Sequence, residues 1–351
     1  MITYLVTQKH AYTIRTFISL WGKRHCPAIK VRSYESLLQA DRLCLGPYIF
    51  SDIERLSSSQ AGELARMWER LSTNNDRDHR LLNHPLTSMR RYQLVRTLYE
   101  RGINSYNLYR LDEDRQKLRF PVFLRNENDH GGSISPLLQT HEDLEKALRS
   151  ISPSETCHNG LVVVEFCDTS DANNVFRKYS AYMVDGRIIP QHIMFGKHWL
   201  VKPVTNLACT IAEVLEEKEY VFNNPHEKEL RAVFSLAGIQ YGRVDYALLD
   251  GKIQIWEINT NPTIIGIGAG SPDRRDVRLH FLKQLTSAFD ALEGTQECAA
   301  RSIPIKGSSM GVNQTMKRWA VYLTDGYYIF KQAVARVVDR IRYGKDKDLH
   351  E

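Results

Sequence analysis

The chain has little of what would place it in several common classes. Its six cysteines, Cys26, Cys44, Cys157, Cys167, Cys209 and Cys298, form no CxxC pair and no His/Cys cluster, which argues against a zinc site and leaves no disulfide framework. Scattered thiols suit a reducing compartment, and the expected location is cytoplasmic. No apolar run approaches the roughly 18 residues of a membrane span. The opening MITYLVTQKHAYTIRTF lacks a charged leader followed by a continuous apolar segment. No GxGxxG follows the first expected strand, so no dinucleotide is assigned to it. The net charge of +6 is modest and spread along the chain; it suits anionic substrates such as nucleotides, and no nucleic-acid partner is expected.

What is present is an ordinary globular composition. The 351 residues are 42% hydrophobic and 25% charged, enough for two or three small domains with cores of their own. The most informative stretch is 241–262, YGRVDYALLDGKIQIWEINTNP, where Asp250-Gly251 between alternating apolar runs signals a β-hairpin. A three-residue loop, or a shorter one followed by a bulge, sets Asp245 opposite Glu257 and Arg243 opposite Asn259 on one face. A regular two-residue loop would put the carboxylates on opposite faces. The other face carries Val244, Tyr246, Leu248, Trp256 and Ile258.

Carboxylates directly across a sheet have Cβ atoms only about 5 Å apart and repel, so this pairing makes sense around a cation. Two carboxylates and an amide form an all-oxygen set suited to Mg²⁺ or Mn²⁺. Arg243, on the same face, suits a phosphate or a developing oxyanion. The alternative is a surface hairpin with a solvated acidic face, which the apolar runs around Asp245 and Glu257 disfavour.

At these residues the sequence resembles the ATP-grasp superfamily, and GRVD followed by EINTNP is similar to its D-alanyl-D-alanine ligase branch. The resemblance implies an α/β chain. The resemblance covers roughly 81–270 and implies an ATP-grasp domain, placed at 81–295, whose two α+β subdomains clasp ATP; the strand and helix alternation before it reads as a small α/β domain over 1–80, and 296–351 reads as a linker and basic helical tail. Asp245, Glu257 and Asn259 would then hold the magnesium of MgATP, with Arg243 assisting at the reacting centre.

ITYLV is a first strand, a helix runs through Ile14, Phe17 and Trp21, an apolar run spans 43–49 and a second helix 61–71. Ser88 is the expected N-cap of a helix that stops at Gly102 and carries Arg91, where the family usually has a lysine that reaches ATP. FPVFL delivers Arg125, again in place of a lysine, ahead of NENDHGGS, whose Gly131 and Gly132 let backbone N–H groups approach phosphate oxygens. LVVVEF is a central strand that, by resemblance, leads into the hinge. There the backbone of Glu165, Phe166 and Cys167 would meet the adenine edge, with Asp168 or Asp171 near the ribose. In the hairpin VFRKYSAYMVDGRIIPQHIMF, Arg177 and Lys178 would face the phosphates. A solvated surface accounts for Arg90, Arg91, Arg177 or Lys178 equally well when each is taken alone.

The implied activity is an ATP-dependent ligase joining a small-molecule carboxylate to an amine, or a thiol, through an acyl phosphate. Arg243 and Arg125 would offset charge on the transferring phosphoryl group. Thr263 and the glycine-rich 266–270 would shape the acceptor site, and the reading leaves room for a homodimer. Two rivals stay open: a small-molecule kinase on the same fold, and a non-catalytic nucleotide-binding scaffold using the basic amphipathic stretch 316–343.

Overall fold

A computed structural model describes residues 1–74, 78–129, 131–151, 160–201, 209–264, 272–293, 298 and 300–304. The glycine-rich 266–270 and the tail 316–343 lie outside the described residues. In chain order the strands are β1 (Ile2–Val6), β2 (Ile29–Ser33), β3 (Arg42–Cys44), β4 (Tyr48–Phe50), β5 (Leu81–Leu82), β6 (Leu108–Arg110), β7 (Val122–Asn126), β8 (Leu161–Glu165), β9 (Phe176–Val184), β10 (Arg187–Gly196), β11 (Tyr241–Leu249), β12 (Lys252–Asn259) and β13 (Ser302–Pro304). With the helices between them they make an α/β fold. Among the described residues no helix is long and apolar enough to cross a membrane.

β1 reads ITYLV without alternation because it lies inside a parallel sheet, ordered β2-β1-β4-β5, that is covered on both faces. Ile2, Tyr4 and Val6 meet Phe281, Leu285 and Phe289 of the helix Arg275–Leu292. On the other face Leu5 and Phe50 meet Leu64 and Leu71 of the helix Ser58–Ser72, which opens with a Ser57/Gln60 capping box. The apolar run over 43–49 divides into two strands, β3 and β4, with Gly46 at φ +136° between them. Sequence reading missed β2 and the short helix Tyr34–Leu38. β5 pairs with β4, so this sheet reaches past residue 80, and β13, beyond the helix Arg275–Leu292, pairs with β3.

The second sheet is small and antiparallel, ordered β6-β8-β7, with LVVVE at its centre as expected. Leu144 of the helix His141–Ser150, capped by Thr140 and Asp143, packs on the face bearing Leu124 and Val163. Val162 and Val164 face the other way, toward Val95.

The third sheet is antiparallel, ordered β10-β9-β11-β12. Both of its hairpins turn on Asp-Gly pairs with positive φ, 45° and 88° at Asp185-Gly186 and 50° and 76° at Asp250-Gly251, the left-handed pair that matches strand twist. The helices Ile211–Asn223 and Glu227–Ala237 cover one face, placing Tyr220, Leu230 and Phe234 against Ala181, Val244 and Ile255. The first of these helices was not expected, although Thr210 and Glu213 form its capping box. On the opposite face Tyr182 and Tyr241 pack with the helix Arg275–Leu292, and Lys178, Ser180 and Asp245, on the same side by strand alternation, lie beyond them.

The helix Arg91–Glu100 is a wedge between the small and large sheets. Leu94 and Leu98, one turn apart, enter the core of the large sheet, while Val95 enters that of the small one. It starts after Arg90 rather than at Ser88, whose hydroxyl instead donates to the Gly238 carbonyl at 2.8 Å. Its first residue, Arg91, is thereby delivered to the mouth of the cleft between the two sheets.

Candidate nucleotide-binding cleft

That cleft contains a cavity of about 170 Å³. Leu108, Phe123, Arg125 and Val164 line it from the small sheet, and Lys178, Asp245, Trp256 and Glu257 from the large one. Glu165, Phe166 and Cys167 lie where the chain crosses between the sheets, beside Trp199, whose ring centroid is 4.9 Å from that of Phe123 and 5.9 Å from that of Phe166. The result is an apolar slot at one end and a charged end at the other, as expected of a site for a planar base with an anionic tail.

The hairpin places its charges through a bulge. Leu249 pairs with Lys252 across a two-residue turn, and the register then shifts so that Asp245 stands opposite Glu257 and Arg243 opposite Asn259. One of the two arrangements allowed from sequence is therefore present. The extra residue is Trp256, expected behind the sheet with Val244 and Ile258. The bulge re-aims it into the cavity, where it packs against Tyr106 at 5.0 Å between centroids.

Asp245 is 3% exposed and densely held. Arg243 donates from Nε to Oδ1 at 2.8 Å and from Nη2 to Oδ2 at 3.1 Å, Ser180 donates to Oδ1 at 2.9 Å, and Lys178 reaches Oδ2 at 3.4 Å. Burial alone would raise the Asp245 carboxyl, but Arg243 and Lys178 outweigh it and hold the group well below the usual carboxylate range. His192, buried near these groups, is pushed well below the ordinary imidazole value by burial and by Arg243.

Glu257 forms an ion pair with Arg91, whose Nη1 also donates to the carbonyls of Asn126, Glu127 and Asp129 at 3.2, 2.7 and 2.9 Å. Arg91 thus ties the loop after β7 to the hairpin. Burial, and then the neighbouring Arg125, lower its guanidinium well below the ordinary value. Burial likewise draws Arg125 down to about 10. The Nε atoms of Arg91 and Arg125 are buried without a hydrogen-bond partner among the described residues. Two buried guanidiniums side by side, one lowered further by the other, mark a place where an anion would be welcome.

The other expected residues divide. Gly132, at φ +102°, lines the cavity, and the Gly131 N–H donates to Asp129 Oδ1 at 3.0 Å. The Glu165 side chain turns to structural work, accepting from the backbone N–H groups of Asn107 at 2.9 Å and Arg119 at 3.0 Å and from Arg119 Nε at 3.1 Å. The Phe166 N–H donates to the Pro121 carbonyl at 2.9 Å. Asp168 closes a turn onto Ser170, at 3.0 Å to its N–H and 2.7 Å to its hydroxyl. Asp171 is held at about 2 by Arg177 and the backbone N–H of Val175. Arg177 divides itself between Asp171 and Glu216, both at 2.7 Å, and so braces the crossing loop. The Asn259 Oδ1 accepts from the Asn261 N–H at 2.8 Å. Thr263 is exposed, and its carbonyl accepts from the Tyr182 hydroxyl at 3.2 Å.

The aromatic walls, Phe123, Trp199 and Trp256, were not recognised as site residues from sequence. Phe123 reads as an interior strand residue and Trp256 as a core residue. For Trp199 the one signal was a large aromatic two residues after Lys197.

No protein-family model matches the chain, and no curated protein sequence matches it. Among solved structures it is similar to D-alanine–D-alanine ligase from Bacillus anthracis in complex with ATP, at 15% identity over 83% of this chain and 97% of that one, with a TM-score of 0.47. It is also similar to L-amino acid ligase from Bacillus licheniformis, at 15% identity over 87% and 80% with a TM-score of 0.43. A third likeness is to a D-cycloserine synthetase, at 14% identity over 82% and 100% with a TM-score of 0.44. These overlaps are loose, and the residues of the cleft carry the chemical case.

Proposed function

We propose that the chain is an ATP-grasp ligase that activates a carboxylate as an acyl phosphate and joins it to an amine. The observation that carries this is the convergence, in one cleft between two sheets, of Arg91, Arg125 and Lys178 around the paired carboxylates of Asp245 and Glu257. The apolar slot of Phe123, Phe166 and Trp199 would take the adenine, and the loop bearing Gly131 and Gly132 the phosphates.

The donor set fits Mg²⁺: Asp245 and Glu257, facing each other, with Asn259 beside them, would hold it. Their charges are offset here by Arg243, Lys178 and Arg91, so a divalent ion would replace compensation these cations already supply. Lys178, at 3.4 Å the longest of the contacts to Asp245, is the one that yields most readily. When bound, the ion would neutralise charge between the outer phosphates. The chain's own task is positioning: Arg125 and Lys178 hold the transferring phosphoryl group, and Arg243 steadies the oxyanion formed when the amine attacks.

The test is to supply MgATP, a pool of amino acids as donors, and hydroxylamine as nucleophile. ADP and a hydroxamate are expected, and an ¹⁸O label in the donor carboxylate should move into inorganic phosphate. A stable phosphomonoester with all label left in the organic product would replace the ligase with a kinase.

Arg125→Ala is expected to weaken ATP binding by about tenfold to a hundredfold, the worth of a charge-assisted contact of about 1.5–3 kcal/mol. Arg125→Lys should recover part of that loss by restoring charge without the planar fork. Titration calorimetry with an ATP analogue measures both, and unchanged affinity in the alanine variant would remove Arg125 from the phosphate site.

A further inference from the structure

A second cluster of titratable groups lies outside the cleft, in the first sheet. That sheet runs β2-β1-β4-β5, so the chain leaves β1 toward one side and β4 toward the other. The crevice beyond the C-terminal ends of β1 and β4 is a topological switch point, the place where open parallel sheets receive ligands. The loop after β1 supplies Thr7 and His10 to it, and the turn after β4 supplies Asp52.

Asp52 is fully buried and adopts φ +58°, a left-handed conformation that few residues other than glycine take. Its Oδ1 accepts from Arg55, and its Oδ2 accepts from the Thr7 hydroxyl and lies 3.1 Å from His10 Nδ1. The Thr7 oxygen is also 2.8 Å from His10 Nδ1. Because the single Thr7 hydroxyl hydrogen goes to Asp52, its oxygen can only accept from the ring. The proton of neutral His10 therefore sits on Nδ1, shared between Thr7 and Asp52, and Nε2 keeps its lone pair. Among the described residues Nε2 has no hydrogen-bond partner, and the side chain keeps 20% of its surface exposed.

This cluster is stitched to the end of the central hairpin. The Ile53 N–H donates to Thr260 Oγ1 at 3.1 Å, and Thr260 donates to Glu54 at 2.5 Å. Asn261 donates from Nδ2 to the His10 carbonyl at 3.2 Å, while its Oδ1 accepts from Tyr4 at 3.0 Å and Thr13 at 2.7 Å. Thr260 and Asn261 directly follow Asn259. A small cleft lined by Ile53, Glu54, Thr260, Arg91 and Glu257 continues from the turn after β4 to the charged end of the nucleotide cleft.

We propose that His10, oriented by Asp52 and Thr7, is the base that deprotonates the attacking amine, an inference that rests on the ligase reading. An amine arriving as its ammonium gives one proton to His10 Nε2, and Asp52 stabilises the imidazolium. The freed nitrogen lone pair attacks the acyl carbon. The C–O bond to phosphate then breaks, its electron pair leaves on the phosphate, and the second amine proton follows onto that phosphate. His10 returns its proton to solvent.

Hydroxylamine separates this role from the first half of the reaction, because it is already neutral near pH 7 and needs no base. With MgATP and the amino-acid pool, His10→Gln should form hydroxamate at the wild-type rate while amide formation falls by about a hundredfold or more, with partial recovery on adding free imidazole. Should His10→Gln fold poorly, His10→Asn and Asp52→Asn are read in the same two assays, with Asp52→Asn also slowing the amide step alone. Equal loss of hydroxamate and amide in variants with wild-type circular dichroism would make the dyad structural, and unchanged amide formation would remove it from catalysis. ATP left unused by the wild-type chain with every acid in the pool would instead overturn the ligase reading.

Discussion

Glu257→Gln is expected to lower turnover by at least about a hundredfold, because a metal clamp supplies several kcal/mol of charge stabilisation and each 1.36 kcal/mol is tenfold in rate. The Glu257 side chain keeps 16% of its surface exposed and glutamine preserves its shape, so the fold should persist, at some cost in stability because Arg91 then faces an amide. Asp245→Asn should lose as much activity and also some stability. Asp245 is 3% exposed, and the change leaves the Arg243 guanidinium facing an amide in place of the carboxylate that neutralises it. Steady-state ADP release beside thermal melts separates the two effects. Near-normal ATP consumption by both variants would remove the metal assignment.

Arg91→Ala should be the most destabilising change in the cleft, by about 3–5 kcal/mol, the usual result of removing one partner from a buried ion pair. The side chain is 5% exposed and has two tasks: it neutralises Glu257 and it satisfies three carbonyls of the loop after β7. A lysine would supply the charge but could not reach Glu257 and all three carbonyls at once, so Arg91→Lys should recover less than half of the loss. Denaturant unfolding of the three proteins tests this. A loss below about 1 kcal/mol, the range of an exposed pair, would mean that Arg91 does not tie the loop to the hairpin. Both variants should also bind ATP poorly.

Sequence alone determined the central hairpin and its charged face. An Asp-Gly turn and a period of two are local properties, and two carboxylates inside apolar runs had to be brought together to be tolerable. The buried β8 and the hairpin at Asp185-Gly186 were legible for the same reason: their signals lie within a few neighbouring residues. Tertiary structure decided how the register was reached, since a bulge and a longer turn give the same pairing, and with it the side on which Trp256 falls. It also decided which of the many arginines matter. Arg91 and Arg177 look alike in sequence, yet one pairs with Glu257 in the cleft while the other is taken up by Asp171 and Glu216. The meeting of Thr7, His10 and Asp52 was equally out of reach, because three residues spread over more than 40 positions become neighbours only when β1 and β4 pair in parallel. Contacts between segments distant in sequence depend on how sheets stack, and that is settled by the summed burial of many side chains, with no signal at any one of them.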